Sequence, residues 1–88
     1  MENKIIHEEQ YQQFTLKLGE EDAELAYALP AAGEINFTHT FVPAVARGKG
    51  IATKLIEAGL AYAHEQGLKV KASCPVVARY LQAHPQQP

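Results

Sequence analysis

Val42-Pro43-Ala44-Val45-Ala46-Arg47-Gly48-Lys49-Gly50-Ile51-Ala52-Thr53-Lys54-Leu55 is the stretch that decides the fold. It runs from a strand end through a short bend into a helix whose apolar stripe continues to Ala63. An ordinary helix start offers Ser, Thr, Asp or Asn to the free backbone N–H groups of its first turn. None stands between Pro43 and Ile51; two glycines, an Arg and a Lys occupy the entry instead. Glycine lets the chain turn sharply and lets a ligand come close to the main chain. Uncapped amides, the positive helix end and two cationic side chains together describe a seat for a phosphate or pyrophosphate. The same spacing also fits a plain turn in which water satisfies the amides.

Moving outward, the 88 residues make one domain, expected over 1–88 with 85–88 as a loose polar tail. At 47% hydrophobic residues the chain reads as globular rather than disordered. One cysteine excludes an internal disulfide framework and points to a reducing compartment. The opening Met-Glu-Asn-Lys lacks the apolar core of a signal peptide, and no run reaches membrane-spanning length, so a cytoplasmic location is expected.

The net charge of −2 hides an asymmetry. Residues 1–34 hold eight acids against Lys4 and Lys17, a balance of −6, whereas residues 35–88 hold six bases against Glu57 and Glu65, a balance of +4. No acid lies between Ile35 and Ile56. A positive field around the glycine bend favours a small anionic ligand. Nucleic acid is a poor fit, since the whole chain is acidic and has no basic stripe interleaved with aromatics. A membrane partner is not expected either, and a monomer or weak dimer is.

Phe14, Leu16 and Leu18 alternate as a half-buried strand, Gly19-Glu20-Glu21-Asp22 turns, and Ala23, Leu25, Tyr27 and Leu29 alternate again, giving a hairpin. Residues 5–11 offer at most a short edge strand. After Pro30-Ala31-Ala32-Gly33, a third strand places Ile35, Phe37, His39 and Phe41 on one face, with Asn36, Thr38, Thr40 and Val42 on the other. The long helix spans about residues 50–66 and buries Ile51, Ala52, Leu55, Ile56, Gly59, Leu60 and Ala63 before Gly67 stops it. Residues 68–72 form a fourth strand, reached by a right-handed crossover. A second helix starts at Ser73 or Pro75, with Ser73 as its cap, and turns Val76, Val77, Tyr80 and Leu81 inward. The order β-β-β-α-β-α makes an α+β fold, a mixed sheet with helices packed on it.

Arg47-Gly48-Lys49-Gly50-Ile51-Ala52 resembles the R-x-x-G-x-G/A signature of the GNAT superfamily of acyl-CoA-dependent N-acyltransferases. His39-Thr40-x-Val42-Pro43 before it, and Cys74-Pro75-x-Val77-x-x-Tyr80-Leu81 with His84-Pro85 after it, resemble the short, single-domain GNAT-like branch over residues 14–85. The resemblance implies a minimal GNAT-like fold and acetyl-CoA as co-substrate. The pyrophosphate would sit on the amides of Arg47, Gly48, Lys49, Gly50, Ile51 and Ala52, with Thr53 adding a hydroxyl. The pantetheine arm would run along the strand at Phe41 and Val42, where that strand splays from its parallel neighbour.

Cys74 follows a strand and opens a helix, where amides and helix dipole stabilise a thiolate. There it can accept the acetyl group and pass it to an amine. His39 is a candidate base for Cys74 or for the amine. Tyr80 stands where the superfamily's leaving-thiolate acid is found, although Ser73 replaces the Asn that often begins that helix. Each also has a plain structural reading: a small buried thiol, a sheet histidine and a core aromatic. His7 and His64 are expected at the surface, His84 has no nameable partner, and no zinc-ligand spacing or Walker motif occurs. Full-length GNAT enzymes carry helices after their first strand, but Gly19 to Asp22 joins strands directly, so the acceptor side is expected to be open or completed by another chain. The activity implied is acetyl transfer to an unidentified amine; a non-catalytic acyl-CoA-binding module and a small interaction domain are the alternatives.

Overall fold

The computed structural model describes residues 4–85; residues 1–3 and 86–88, the latter most of the expected polar tail, lie outside the described part. Five strands form one sheet: β1 (Ile5–Glu8), β2 (Gln13–Lys17), β3 (Asp22–Ala28), β4 (Glu34–Phe41) and β5 (Lys69–Ala72). Helix α1 (Ile51–Glu65) links β4 to β5, and α2 (Pro75–Ala83) follows β5. The strands lie in chain order, antiparallel up to β4, with the β4–β5 pair parallel. The α+β class and the mixed sheet agree with the sequence reading. The order is β-β-β-β-α-β-α, with one strand more than the expected β-β-β-α-β-α.

The added strand is β1, which pairs Ile5 with Leu16 and His7 with Phe14. The link after the first strand is therefore the 3-10 turn Glu9–Tyr11, not the hairpin turn at Gly19. Gln12 closes it in the left-handed region at φ 54°. Thr15 is the buried polar residue of β2, and its hydroxyl donates to Glu8 while accepting from the Gln13 amide. No buried side-chain nitrogen or oxygen is left without a partner among the described residues.

One contiguous core lies between the helices and the sheet. The α1 stripe buries Ile51, Leu55, Ile56, Gly59, Leu60 and Ala63, as expected apart from Ala52, which is half-buried. Gly59 sets how closely the helix lies on the sheet. A Cβ there would come within 2.8 Å of the Phe37 ring and 3.0 Å of Leu25. Burying a side chain such as Phe37 or Leu25 is worth about 1.5–3 kcal/mol, more than the ~1 kcal/mol of helix propensity that glycine forfeits. The small residue is tolerated because it lets the layers meet.

Strand β4 departs from simple alternation. Its register with β3 runs Tyr27–Phe37 and then Ala26–His39, leaving Thr38 without a partner as a bulge. A bulge reverses which face later residues take. Ile35 and Phe37 face α1 as expected, but beyond the bulge Thr40 lies opposite the buried Leu25. His39 and Phe41 pair with Ala26 and Glu24 and so take the other face. The expected set Ile35, Phe37, His39 and Phe41 is thus split between two faces.

Two details of α2 also differ. Its N-cap is Cys74, because Pro75 occupies the first helical position, where the absent proline N–H costs nothing. Ser73, the expected cap, is held by Asn36: the Asn36 amide donates to the Ser73 hydroxyl, and the Ser73 N–H donates to Asn36 Oδ1, both at 2.9 Å. Val77 is fully buried and Tyr80 and Leu81 pack against the core, but Val76 points outward at 45% exposure.

Candidate functional site

Three features meet where β4 ends. The first is the entry to α1. Gly48 and Gly50 take φ of 81° and 74°, a region that a residue with a Cβ reaches at about 1–2 kcal/mol. Gly50 is the N-cap, and no side chain caps the helix. The first helical bond runs from Lys54 N–H to the Gly50 carbonyl. The amides of Ile51, Ala52 and Thr53 therefore precede the ladder and are available to an acceptor. They open on a hollow of about 140 Å³ lined by Val42, Ala46, Arg47, Gly48, Gly50, Ile51, Ala52 and Thr53. Seven of the nine residues expected to hold the coenzyme are in that lining; Phe41 and Lys49 are not.

Phe41 stands just before Val42, 37% exposed on the uncovered sheet face. Lys49 instead lines a neighbouring groove of about 460 Å³, with Glu20 and Glu21 of the β2–β3 turn across from it. Arg47 folds back, its Nε donating to the Val42 carbonyl at 3.1 Å. This bond ties the loop to the strand end and leaves the guanidinium charge beside the hollow.

The second feature is the split between β4 and β5. Their pairing ends at Phe37 with Ala72, and residues 38–41 of β4 run on without a β5 partner. The Ser73 and Cys74 amides both donate to the Phe37 carbonyl at 3.1 Å, which turns the chain away into α2 at that level.

The third is Cys74, a free thiol that is 4% exposed. Burial pushes it up, but the Thr40 hydroxyl and the nearby backbone of Val77, Val76 and Thr40 outweigh burial and hold the thiol below the ordinary cysteine range. Thr40 Oγ1 lies 3.3 Å from Sγ. Sequence reading missed Thr40, because strict alternation puts it on the wrong face. His39 is not brought to Cys74; its neighbour Thr40 is, and the two point to opposite sides of the sheet. The expectation that His39 serves as base for the thiol does not fit this arrangement. It remains exposed on the uncovered face, beside Phe41.

Tyr80 is half-buried against the core, with its ring stacked on His84 at 4.3 Å, so His84 does have a partner. His7, expected at the surface, is packed into an aromatic cluster away from this site. Among the described residues no cluster of acids, cysteine and histidines can hold a metal ion, and no helix is long and apolar enough to cross a membrane.

Comparison with known proteins places this geometry. The mouse and human proteins called Protein NATD1 are each 31% identical over 84 residues, covering 93% of this chain and 76% and 74% of their own. The solution structure of a GCN5-like protein from Staphylococcus aureus superposes with a TM-score of 0.68 at 30% identity, covering 91% of this chain and 78% of that one. An integron cassette protein of V. cholerae shares the fold alone, at a TM-score of 0.57 and 16% identity. The family model for GCN5-related N-acetyl-transferases matches residues 13–87. With that match spanning the hairpin, the glycine loop and both helices, the chain belongs to the GCN5-related N-acetyltransferase family.

Proposed function

We propose that this protein binds acetyl-CoA and transfers its acetyl group to an amine. The observation that carries the reading is the α1 entry: two left-handed glycines, no side-chain cap and a hollow onto which first-turn amides open. Such amides, with the helix dipole behind them, suit a diphosphate. Arg47 and Thr53 line the hollow and add charge and a hydroxyl, with Lys49 in the adjoining groove. From there the pantetheine arm follows Val42 and Phe41 along the part of β4 that β5 leaves unpaired, which brings the thioester towards Cys74.

In the relay form of the reaction, the Cys74 thiolate attacks the acetyl carbonyl. A bond forms from Sγ to the carbonyl carbon, the carbon–sulfur bond of the coenzyme breaks, and the departing CoA thiolate takes a proton from solvent. The amine nitrogen then attacks the Cys74 thioester, Sγ leaves, and the amine loses its proton. Holding the reactants together supplies most of the gain. The lowered thiol pKa supports this route. His39 lies across the sheet from Cys74, so its proposed role as base is confined to an amine that does not pass through the Cys74 thioester.

The near-complete burial of Cys74 favours a second route, direct attack of the amine on acetyl-CoA, with Tyr80 protonating the CoA thiolate. Incubation with isotope-labelled acetyl-CoA and a panel of amines and peptides tests both. Label on Cys74, lost when an amine is added, supports the relay; amine product with Cys74 unlabelled and Cys74→Ser still active supports direct transfer. Binding without any transfer would leave a coenzyme-binding module, and unmoved amide signals at Gly48 to Thr53 on adding acetyl-CoA would refute the whole reading. The compartment expected for such an enzyme is the cytoplasm, as monomer or weak dimer.

A further inference from the structure

The relay through Cys74 needs a thiolate held in one place, and the bulge in β4 supplies a residue for that purpose. We propose that Thr40 is the positioning residue of Cys74: its hydroxyl, turned to the core face by the bulge at Thr38, donates to Sγ and fixes the thiolate at the mouth of α2. The inference rests on the relay reading above for its role in catalysis, but the contact itself does not.

Without the bulge, alternation from Phe37 would put His39 on the core face and Thr40 outside. The unpaired Thr38 reverses this, so that Thr40 stands opposite Leu25 on the face where Cys74 lies. Cys74 caps α2 without a side-chain bond to the first-turn amides, and Thr40 Oγ1 lies 3.3 Å from its Sγ. Once Sγ is ionised it can only accept, so the Thr40 hydroxyl becomes the donor, and it comes from the strand along which the thioester would arrive. A thiolate accepts such a bond strongly, whereas a thioester sulfur is a poor acceptor. The hydroxyl therefore acts on the resting nucleophile and is released once the acetyl group is on Sγ. No proton leaves Thr40 in either step.

Cys74 is placed at the same time by the turn that precedes it. The two sites of attachment, Phe37 O for the Ser73 and Cys74 amides and Thr40 Oγ1 for Sγ, flank the bulge on one strand. Thr40→Val keeps the shape of the side chain and removes the donor, and Thr40→Ser restores the donor.

The experiment is a pH titration of Cys74 followed by the Cβ carbon shift of labelled cysteine, on the whole protein without coenzyme, in wild type, Thr40→Val, Thr40→Ala and Thr40→Ser. A lost hydrogen bond to an ionised group corresponds to an upward move of the midpoint by about one to two pH units. That move is expected in Thr40→Val, with Thr40→Ser returning to the wild-type value. Thr40→Ala gives the same reading should valine disturb the packing, and the backbone amide spectrum reports whether each variant is folded. Unchanged midpoints in folded Thr40→Val and Thr40→Ala, or no recovery in Thr40→Ser, overturn the proposal. Acetyl labelling of Cys74 is measured separately. A moved midpoint with Cys74 never labelled refutes the relay while leaving the Thr40 contact established.

Discussion

His7 Nε2 lies 2.7 Å from the Tyr27 hydroxyl, and this bond fastens the edge strand β1 to the centre of the sheet. The His7 ring also stacks on Phe14 at 4.1 Å and meets the edge of Tyr62 on α1 at 4.4 Å. Tyr27 is buried, and the neutral imidazole gives its hydroxyl an acceptor. Burial lowers the pKa of His7 below the ordinary 6.5, with Glu9 acting weakly in the opposite sense.

The sign of the resulting pH dependence follows from that direction. Since the folded pKa is depressed, the unfolded chain binds the proton more readily. The contribution of His7 to stability is fully present above about pH 6.5, its ordinary pKa, and is lost as pH falls from there through the folded value. Urea unfolding at pH 7.5 and pH 5.5 should show a larger loss in wild type than in His7→Phe, which keeps the stacking and cannot be protonated. At pH 7.5 His7→Phe should itself be less stable by about 1–3 kcal/mol, because the Tyr27 hydroxyl is left without an acceptor. Equal losses in the two proteins would show that other groups govern the acid side.

Gly59→Ala separates packing from helix propensity. Alanine is worth about 1 kcal/mol over glycine inside a helix, but its methyl would meet Phe37 at 2.8 Å and Leu25 at 3.0 Å. Both neighbours are fully buried and have no room to withdraw. Overpacking of that kind costs about 1–3 kcal/mol, so thermal unfolding should show a net loss. A gain would mean that α1 can lift from the sheet more freely than the contacts suggest.

Much of this layout could be read from particular residues. The uncapped Arg47-Gly48-Lys49-Gly50 run marked the α1 entry, and Ile51 to Ala63 marked the face that α1 buries, because helical period and capping are local properties. β1 was barely legible, since its inward residues are Ile5 and a histidine, and only the aromatic cluster makes His7 an inward residue. The bulge left no mark. Residues 34–41 hold no glycine or proline, and period-2 counting runs through Thr38 undisturbed; pairing with β3 alone reveals the extra residue. The exchange of His39 for Thr40 at Cys74 follows from that single position. A serine is the better capping residue in isolation, which points to Ser73, but Pro75 at the first helical position makes Cys74 the cap of α2.

Gly50→Asn and Gly50→Asp test the proposed diphosphate seat with backbone strain held nearly constant. Both side chains tolerate the left-handed region better than other non-glycine residues, and nothing lies within 4 Å of a Cβ built at Gly50. They differ by one negative charge, worth about 1 kcal/mol against a nearby anion at the dielectric of an exposed site. Calorimetric titration with CoA should show Gly50→Asp binding several-fold more weakly than Gly50→Asn. The gap should narrow in high salt. Equal affinities would place the diphosphate elsewhere.

Asn36 offers the last test, at the junction that carries Cys74. Its amide makes two hydrogen bonds to Ser73, on the sheet face where Lys71 is its register partner and Glu34 pairs with Lys71 at 3.2 Å. Asn36→Ala removes both bonds, whose exposure keeps the cost to about 1 kcal/mol of global stability. The local effect should be larger than the global one. Ser73 N–H retains the Phe37 carbonyl as acceptor, yet loses Asn36 Oδ1. Amide exchange at Ser73 and Cys74 should therefore quicken well beyond that at Ile35 and Phe37, earlier on the same strand. Asn36→Asp keeps an acceptor for the amide, lets the Ser73 hydroxyl donate in turn, and adds a charge beside Lys71, so exchange there should stay close to wild type. Uniform quickening along β4 in Asn36→Ala would mean that the side chain stabilises the sheet as a whole and does not specifically hold the turn into α2.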